Sequence, residues 1–248
     1  YHNTAGYSGT AANAVWFHHN DVYDNALGFT TDVFTAAGHP GFPQDSDLIE
    51  DNEFYSNNFN PYIEQPADNE VAPTIPVPVG TALWIAGGNN NIVRNNRFWD
   101  NWRRGTMLFA VPDLLVCPPG GADQINGCNP GSLSTSFRNR FHGNVMGQRP
   151  DGTPDRNGTD FWWDQFVGNT GNCWYGNVGP DGTRGSLTSV PPQAPVAGTS
   201  IPLFLPEDCA TSIGPSGALQ ETELVGCLAN FEQGAPTPCT WFTTPAEP

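Results

Sequence analysis

The chain has 248 residues, enough for one sizeable core, and its 38% hydrophobic and 14% charged residues stand beside 28 Gly and 24 Pro. That mixture suits many short strands and excludes an architecture of long helices. Nine Arg, no Lys and 25 acidic residues leave a formal charge of −16, which excludes nucleic acid as a partner and argues against anionic membranes, while suiting an acidic exported protein or one that binds cations.

The chain opens at Tyr1 in patterned sequence with no signal-like or membrane-spanning run, as expected of mature, trimmed or excised material. Residues 14–17 (AVWF) read as a first strand. His18 and His19 follow, and with His39 they are candidate transition-metal ligands. Adjacent strand residues point to opposite faces, however, so the pair is expected to be unable to hold one ion together.

The signature NDVYDN (20–25) comes next, and the same six-residue form returns as NEFYSN (52–57), NRFWDN (96–101), NRFHGN (139–144) and NCWYGN (172–177). Five copies at intervals of 32 to 44 residues predict a short solenoid, one copy per coil, with insertions at 66–78, 112–130 and 149–158 carried as surface loops. The third residue of each copy (Val22, Phe54, Phe98, Phe141, Trp174) is apolar and expected to face the core. The flanking Asn residues sit at corners, where they tolerate left-handed backbone and can form amide ladders between coils about 4.8 Å apart.

If the five copies are equivalent, the residue after the core position forms one outward column of Tyr23, Tyr55, Trp99, His142 and Tyr175. Such a column is a candidate sugar-binding platform, with aromatic packing under loops as the alternative. The residue before it gives Asp21, Glu53, Arg97, Arg140 and Cys173, in which Glu53 would pair with Arg97.

Between the copies lie residues that could do chemistry. Asp32 and Glu64 stand seven residues past the first two signatures, in equivalent register, as carboxylates able to act on a glycosidic bond. The loop QDSDLIED (44–51) brings Asp45, Asp47, Glu50 and Asp51 together as oxygen ligands for calcium, although it lacks the Gly and closing Glu of an EF-hand. Strands are predicted at 28–34, 81–86, 105–111 and 160–166. The strand around TDFWWD (159–164) places Asp160, Trp162 and Asp164 on one face. Asn157-Gly158-Thr159 is the single glycosylation sequon.

The stretch GTALWIAGGNNNIVRNNRFWDN (80–101) resembles the repeat of right-handed parallel β-helix proteins, the pectate-lyase-like superfamily, over roughly residues 10–180. Residues 171–183 followed by LPEDC (205–209) are similar to the end of secreted actinobacterial β-helix proteins, a subgroup that implies no particular activity. The resemblance implies an all-β, right-handed, single-stranded parallel β-helix of about five coils. It also implies an extracellular protein that binds or processes a polysaccharide as a lyase or glycoside hydrolase, with Arg103 or Arg104 as a lyase base or acidic-sugar ligand. The chain departs from the family in lacking Lys and a clustered Asp set. A non-catalytic structural or assembly protein is therefore the competing expectation, supported by the short segment 1–12, which makes a poor cap and could dock on another chain.

Residues 1–188 are expected to form the helix and 189–248 a Pro-rich tail packing on or capping its last coil. Cys117, Cys128, Cys173, Cys209, Cys227 and Cys239 have no zinc-ligand spacing and read as disulfides of an oxidising compartment. Local pairing gives 117–128, 173–209 and 227–239.

Overall fold

The computed structural model describes residues 1–10, 12–33, 41, 43–63, 77–111, 136–165, 169–190, 205–210 and 240–248. In chain order the strands are β1 (Ala5–Ser8), β2 (Trp16–His18), β3 (Asp21–Tyr23), β4 (Leu27–Thr30), β5 (Leu48–Glu50), β6 (Glu53–Tyr55), β7 (Thr81–Ala86), β8 (Ile92–Arg94), β9 (Arg97–Trp99), β10 (Arg104–Phe109), β11 (Arg140–His142), β12 (Val145–Met146), β13 (Phe161–Trp163), β14 (Cys173–Tyr175) and β15 (Ser189–Val190). Two single 3₁₀ turns are the helical content of the described residues, and no helix among them is long and apolar enough to cross a membrane.

The strands form three sheets, ordered β1-β4-β7-β10-β13-β15 (sheet A), β2-β5-β8-β11-β14 (sheet B) and β3-β6-β9-β12 (sheet C). Every pairing is parallel, and the chain visits A, B and C in rotation, an arrangement compatible with a parallel β-helix. A parallel bridge from Val145 to Val178 extends sheet C by one further position.

The turns explain why these residues fold so. At most of the described corners a residue in the left-handed region precedes a polar one, which is buried except at Asn20. Between sheets B and C these are His19, Asp51, Asn95, Gly143 and Gly176, followed by Asn20, Asn52, Asn96, Asn144 and Asn177. Between C and A, Asp24, Ser56 and Asp100 precede Asn25, Asn57 and Asn101; between A and B, Ser46, Asn90, Arg138 and Gly171 precede Asp47, Asn91, Asn139 and Asn172. Asn, Asp and Gly bear positive φ at low cost, and the Asn that follows bonds across the coils.

The resulting ladders run the length of the stack. Asn20, Asn52, Asn96, Asn144 and Asn177 are joined amide to amide at 2.9, 2.9, 3.2 and 3.0 Å. Asn25, Asn57, Asn101 and Asn157 are joined at 3.1, 3.0 and 3.0 Å. Each rung satisfies backbone groups that the corner takes out of the sheets, as buried polar groups require.

These ladders correct the predicted register. The signatures at 20, 52 and 96 hold β3, β6 and β9 of sheet C, but those at 139 and 172 hold β11 and β14 of sheet B. The residue beside Phe98 in the next coil is Met146, and Phe141 follows Val93 instead. Because the same corner chemistry recurs two or more times per coil, the sequence repeat is shorter than the coil.

The inner core stacks Ile49, Val93, Phe141 and Trp174 of sheet B against Val22, Phe54, Phe98 and Met146 of sheet C and Phe29, Leu83, Leu108, Phe161 and Trp163 of sheet A. Rings repeat in register, Phe54 on Phe98 at 5.0 Å and Phe141 on Trp174 at 5.3 Å. Gly28 faces this interior, where a Cβ would lie 2.4 Å from the Ala82 carbonyl oxygen and 3.2 Å from both Phe54 and Val22. Gly28→Val is therefore expected to cost about 2–4 kcal/mol through overpacking, read as a lowered urea midpoint; an unchanged midpoint would show that the coils can part there.

Sheet A is buried on its outer face as well. Leu27, Trp84, Met107, Phe109 and Trp162 pack under Val77, Val79 and Trp241, so β7 and β10 read as continuous buried runs. The C-terminal segment is tied down by Arg103, which donates to the carbonyls of Val79 (2.7 Å), Thr240 (2.7 Å) and Thr243 (2.9 Å).

The tail thus acts in two places. Residues 205–209 cover the last coil, where Leu205 enters the core and the Trp174 N–H donates to the Pro206 carbonyl, while residues 240–244 lie along sheet A beside the middle coils. The Cys173–Cys209 disulfide anchors the first of these. Cys117, Cys128, Cys227 and Cys239 lie outside the described residues.

Candidate functional site

The expected aromatic column divides in two. Tyr23, Tyr55 and Trp99 line the outside of sheet C, joined by Tyr1, with ring centroids 5.4, 5.1 and 4.5 Å apart and planes within 9° of parallel. His142 and Tyr175 belong to sheet B and stack on each other at 4.7 Å. The sheet C rings spend their faces on one another, so the inner ones turn edges outward, and Trp99 is only 7% exposed. A sugar packs on a ring face, which this stack withholds along its length. Burial, with Asp21, Tyr23 and Glu53 nearby, pushes the Tyr55 hydroxyl pKa up.

The column before the core position divides likewise. Asp21, Glu53 and Arg97 are in register on sheet C, whereas Arg140 and Cys173 adjoin each other on sheet B. Arg97 does not turn to Glu53; it donates to the carbonyls of Gln148 and Arg149, both at 3.1 Å.

The catalytic candidates are mostly interior groups. Asp32 is buried and accepts from the Ser8 hydroxyl; Glu64 lies outside the described residues. Asp160 is held by the Asn157 amide through Oδ1 and by the Thr188 N–H and hydroxyl through Oδ2, and burial raises its pKa despite these bonds. Asp164 accepts the Ala110 N–H at 2.7 Å. Arg104 is buried, its guanidinium 4.5 Å from the centre of the Trp162 ring on the covered face of sheet A. These positions hold corners and a packed face, and Trp162 is closed off from any polymer.

The acidic loop is spread over two structural roles. Asp47 is buried in the A–B ladder, accepting the Val15 N–H at 2.9 Å and donating its own N–H to Asn91. Asp45 bonds Asn90 and Ser46, and Asp51 is an exposed left-handed corner. Among the described residues no group of three His, Cys, Asp or Glu is disposed to hold a metal ion. The sequon Asn157 is 4% exposed and its amide nitrogen donates to Phe98 and Asp160, so the site is a ladder rung in the fold.

What sequence reasoning missed is the outer face of sheet B. One file runs His18, Glu50, Arg94, His142, Tyr175 in register. Arg94 meets Glu50 through Nε and Nη2, both at 2.6 Å, and the Trp16 indole N–H donates to the other Glu50 oxygen at 2.8 Å. Arg94 above all, and Trp16 after burial opposes them, hold the Glu50 carboxyl below its usual range. Burial, then Arg94 and Arg140, lower the His142 pKa. Trp16, which stacks on His18 from the adjoining file, is 62% exposed, and Tyr175 at the other end is 37% exposed. The signal was present: NIVRNN (91–96) fits the signature and overlaps its neighbour by one Asn. Compared with family models, curated proteins and solved structures, the chain shows no match.

Proposed function

We propose that this chain is a right-handed parallel β-helix of five coils, exported from the cell, that binds a polysaccharide along the outer face of sheet B. The observation that supports the reading is the file of His18, Glu50, Arg94, His142 and Tyr175, with exposed Tyr175 at one end and, at the other, exposed Trp16 stacked on His18 from the adjoining file. Sheet A offers no comparable surface, being covered, and sheet C presents ring edges. Binding without catalysis fits the inward commitment of Asp32, Asp160 and Asp164.

Affinity electrophoresis against soluble neutral and acidic polysaccharides tests it. Trp16→Ala and Tyr175→Ala are expected to abolish the retardation seen with the parent protein, while Tyr55→Ala leaves it in place. Equal retardation of all three variants would remove sheet B from consideration.

A second reading, assembly, is favoured by one feature. β1, β2 and β3 each end their sheet at the same end of the stack, where Tyr1 is 76% exposed. Paired edges there would join this chain to further coils, and concentration-dependent sedimentation would reveal such pairing between copies.

A further inference from the structure

The His18 and His19 side chains do not splay to opposite faces. His19 is the left-handed corner residue, with φ 54°, and the turn brings its Nδ1 within 2.8 Å of the His18 Nδ1, the rings standing at 88° to each other. The alternation that separates neighbours in a strand ends one residue earlier, at the close of β2.

From this geometry we propose that His18 and His19 form a binding site for a square-planar divalent metal ion of the copper(II) type. Two ligands at right angles, each about 2.0 Å from a metal, are separated by roughly 2.8 Å, whereas a tetrahedral zinc site spaces its nitrogens by roughly 3.3 Å. In the structure the two Nδ1 atoms share a hydrogen bond of that length, so an ion that displaces the shared proton finds both nitrogens within the span of two adjacent corners of a square. Imidazole suits such ions, and the remaining positions are open to water because the corner is exposed at His19.

The chain's formal charge of −16 favours a cation. Glu50, the partner of His18 in the next coil, has its carboxylate held by Arg94 and Trp16, and the His19 backbone N–H donates to the Asp51 backbone carbonyl. No other described B–C corner repeats the pair, since its two positions hold Glu50–Asp51, Arg94–Asn95, His142–Gly143 and Tyr175–Gly176 in the later coils. The indole of Trp16 stacks on His18 with centroids 4.0 Å apart, so a paramagnetic ion at the site quenches its fluorescence. The proposal is independent of what sheet B binds, because its test contains no glycan.

Copper(II) alone, titrated into the intact chain at neutral pH, tests it by tryptophan fluorescence and electron paramagnetic resonance. One equivalent is expected to bind with an axial spectrum showing nitrogen couplings. His18→Ala and His19→Asn should each weaken binding at least about tenfold; Asn is chosen because it accepts the left-handed backbone. Trp16→Phe should keep the ion and lose most of the quenching. Absence of stoichiometric binding overturns the site, as does binding that survives both histidine substitutions or that vanishes on His2→Ala, a change at the exposed histidine that meets Asp24.

Discussion

Asn101→Ala is expected to destabilise the chain by about 3–5 kcal/mol, a large share of what holds a domain folded. Asn101 is fully buried at the C–A corner. Its oxygen accepts from the Asn57 backbone N–H at 3.3 Å and the Asn57 amide at 3.0 Å. Its nitrogen donates to the carbonyls of Phe54 (3.1 Å) and Trp99 (2.9 Å) and to the Asn157 oxygen (3.0 Å). Alanine would strand donors on one coil and acceptors on others, each away from water. Asn3 is the exposed end rung of the same ladder, so Asn3→Ala should cost no more than about 1 kcal/mol. Urea unfolding of the two variants decides the point: similar losses would mean that the ladder follows the fold without stabilising it.

Asp47→Asn is expected to act in the opposite direction, raising stability near neutral pH. Asp47 occupies a rung that Asn91, Asn139 and Asn172 fill in the coils beyond. It accepts the Val15 N–H but has no amide with which to donate, and Gln44 supplies the bond to Asn91 in its stead. Burial first, with Asp45 adding to it and bonds from Val15 and Gln44 opposing, pushes the Asp47 carboxyl up to about 6 from an ordinary 3.8.

The folded chain therefore binds a proton that the unfolded chain has released between those values. The stabilisation from this proton is full below the ordinary value and is lost as pH rises towards 6. At about 1.4 kcal/mol per unit the loss reaches roughly 3 kcal/mol by neutral pH. Asparagine keeps the acceptor for Val15 and carries no charge to desolvate. The variant should exceed the parent by up to that amount at pH 7 and by little near pH 4; a gain independent of pH would locate the effect elsewhere than in the ionisation.

The comparison of these two residues shows what can be read from a linear pattern. A buried corner Asn is legible because its neighbours alternate and a left-handed residue precedes it. The pattern does not say which of the three corners it marks. NRFWDN (96–101) and NRFHGN (139–144) are nearly the same string, yet the first turns from sheet C to A and the second from B to C. Their strand pairings and the hydrogen bonds from Asn96 to Asn144 and from Asn91 to Asn139 tell them apart, and these bonds join residues 48 positions distant.

The candidate site moved for the same reason. With the copies set in one column, His142 and Tyr175 joined Tyr23, and Glu50 was grouped with a calcium loop. In the true register His142 and Tyr175 continue Glu50 and Arg94.

The resemblance of residues 80–101 to β-helix repeats implied parallel sheets; by itself the sequence determined that the chain is all-β, that Val22, Phe54, Phe98, Phe141 and Trp174 face inward, and that Asn marks the corners. These follow from local rules, alternation along a strand and the tolerance of Asn, Asp and Gly for positive φ, which act within a few residues. The tertiary structure alone decided which corner each Asn occupies and that Trp162 is closed under Arg104 while Trp16 is open. It also decided that the faces of Tyr23, Tyr55 and Trp99 are spent on one another. Register and exposure are set by hydrogen bonds and packing between coils, and the insertions that separate those coils carry no fixed length from which a partner could be counted.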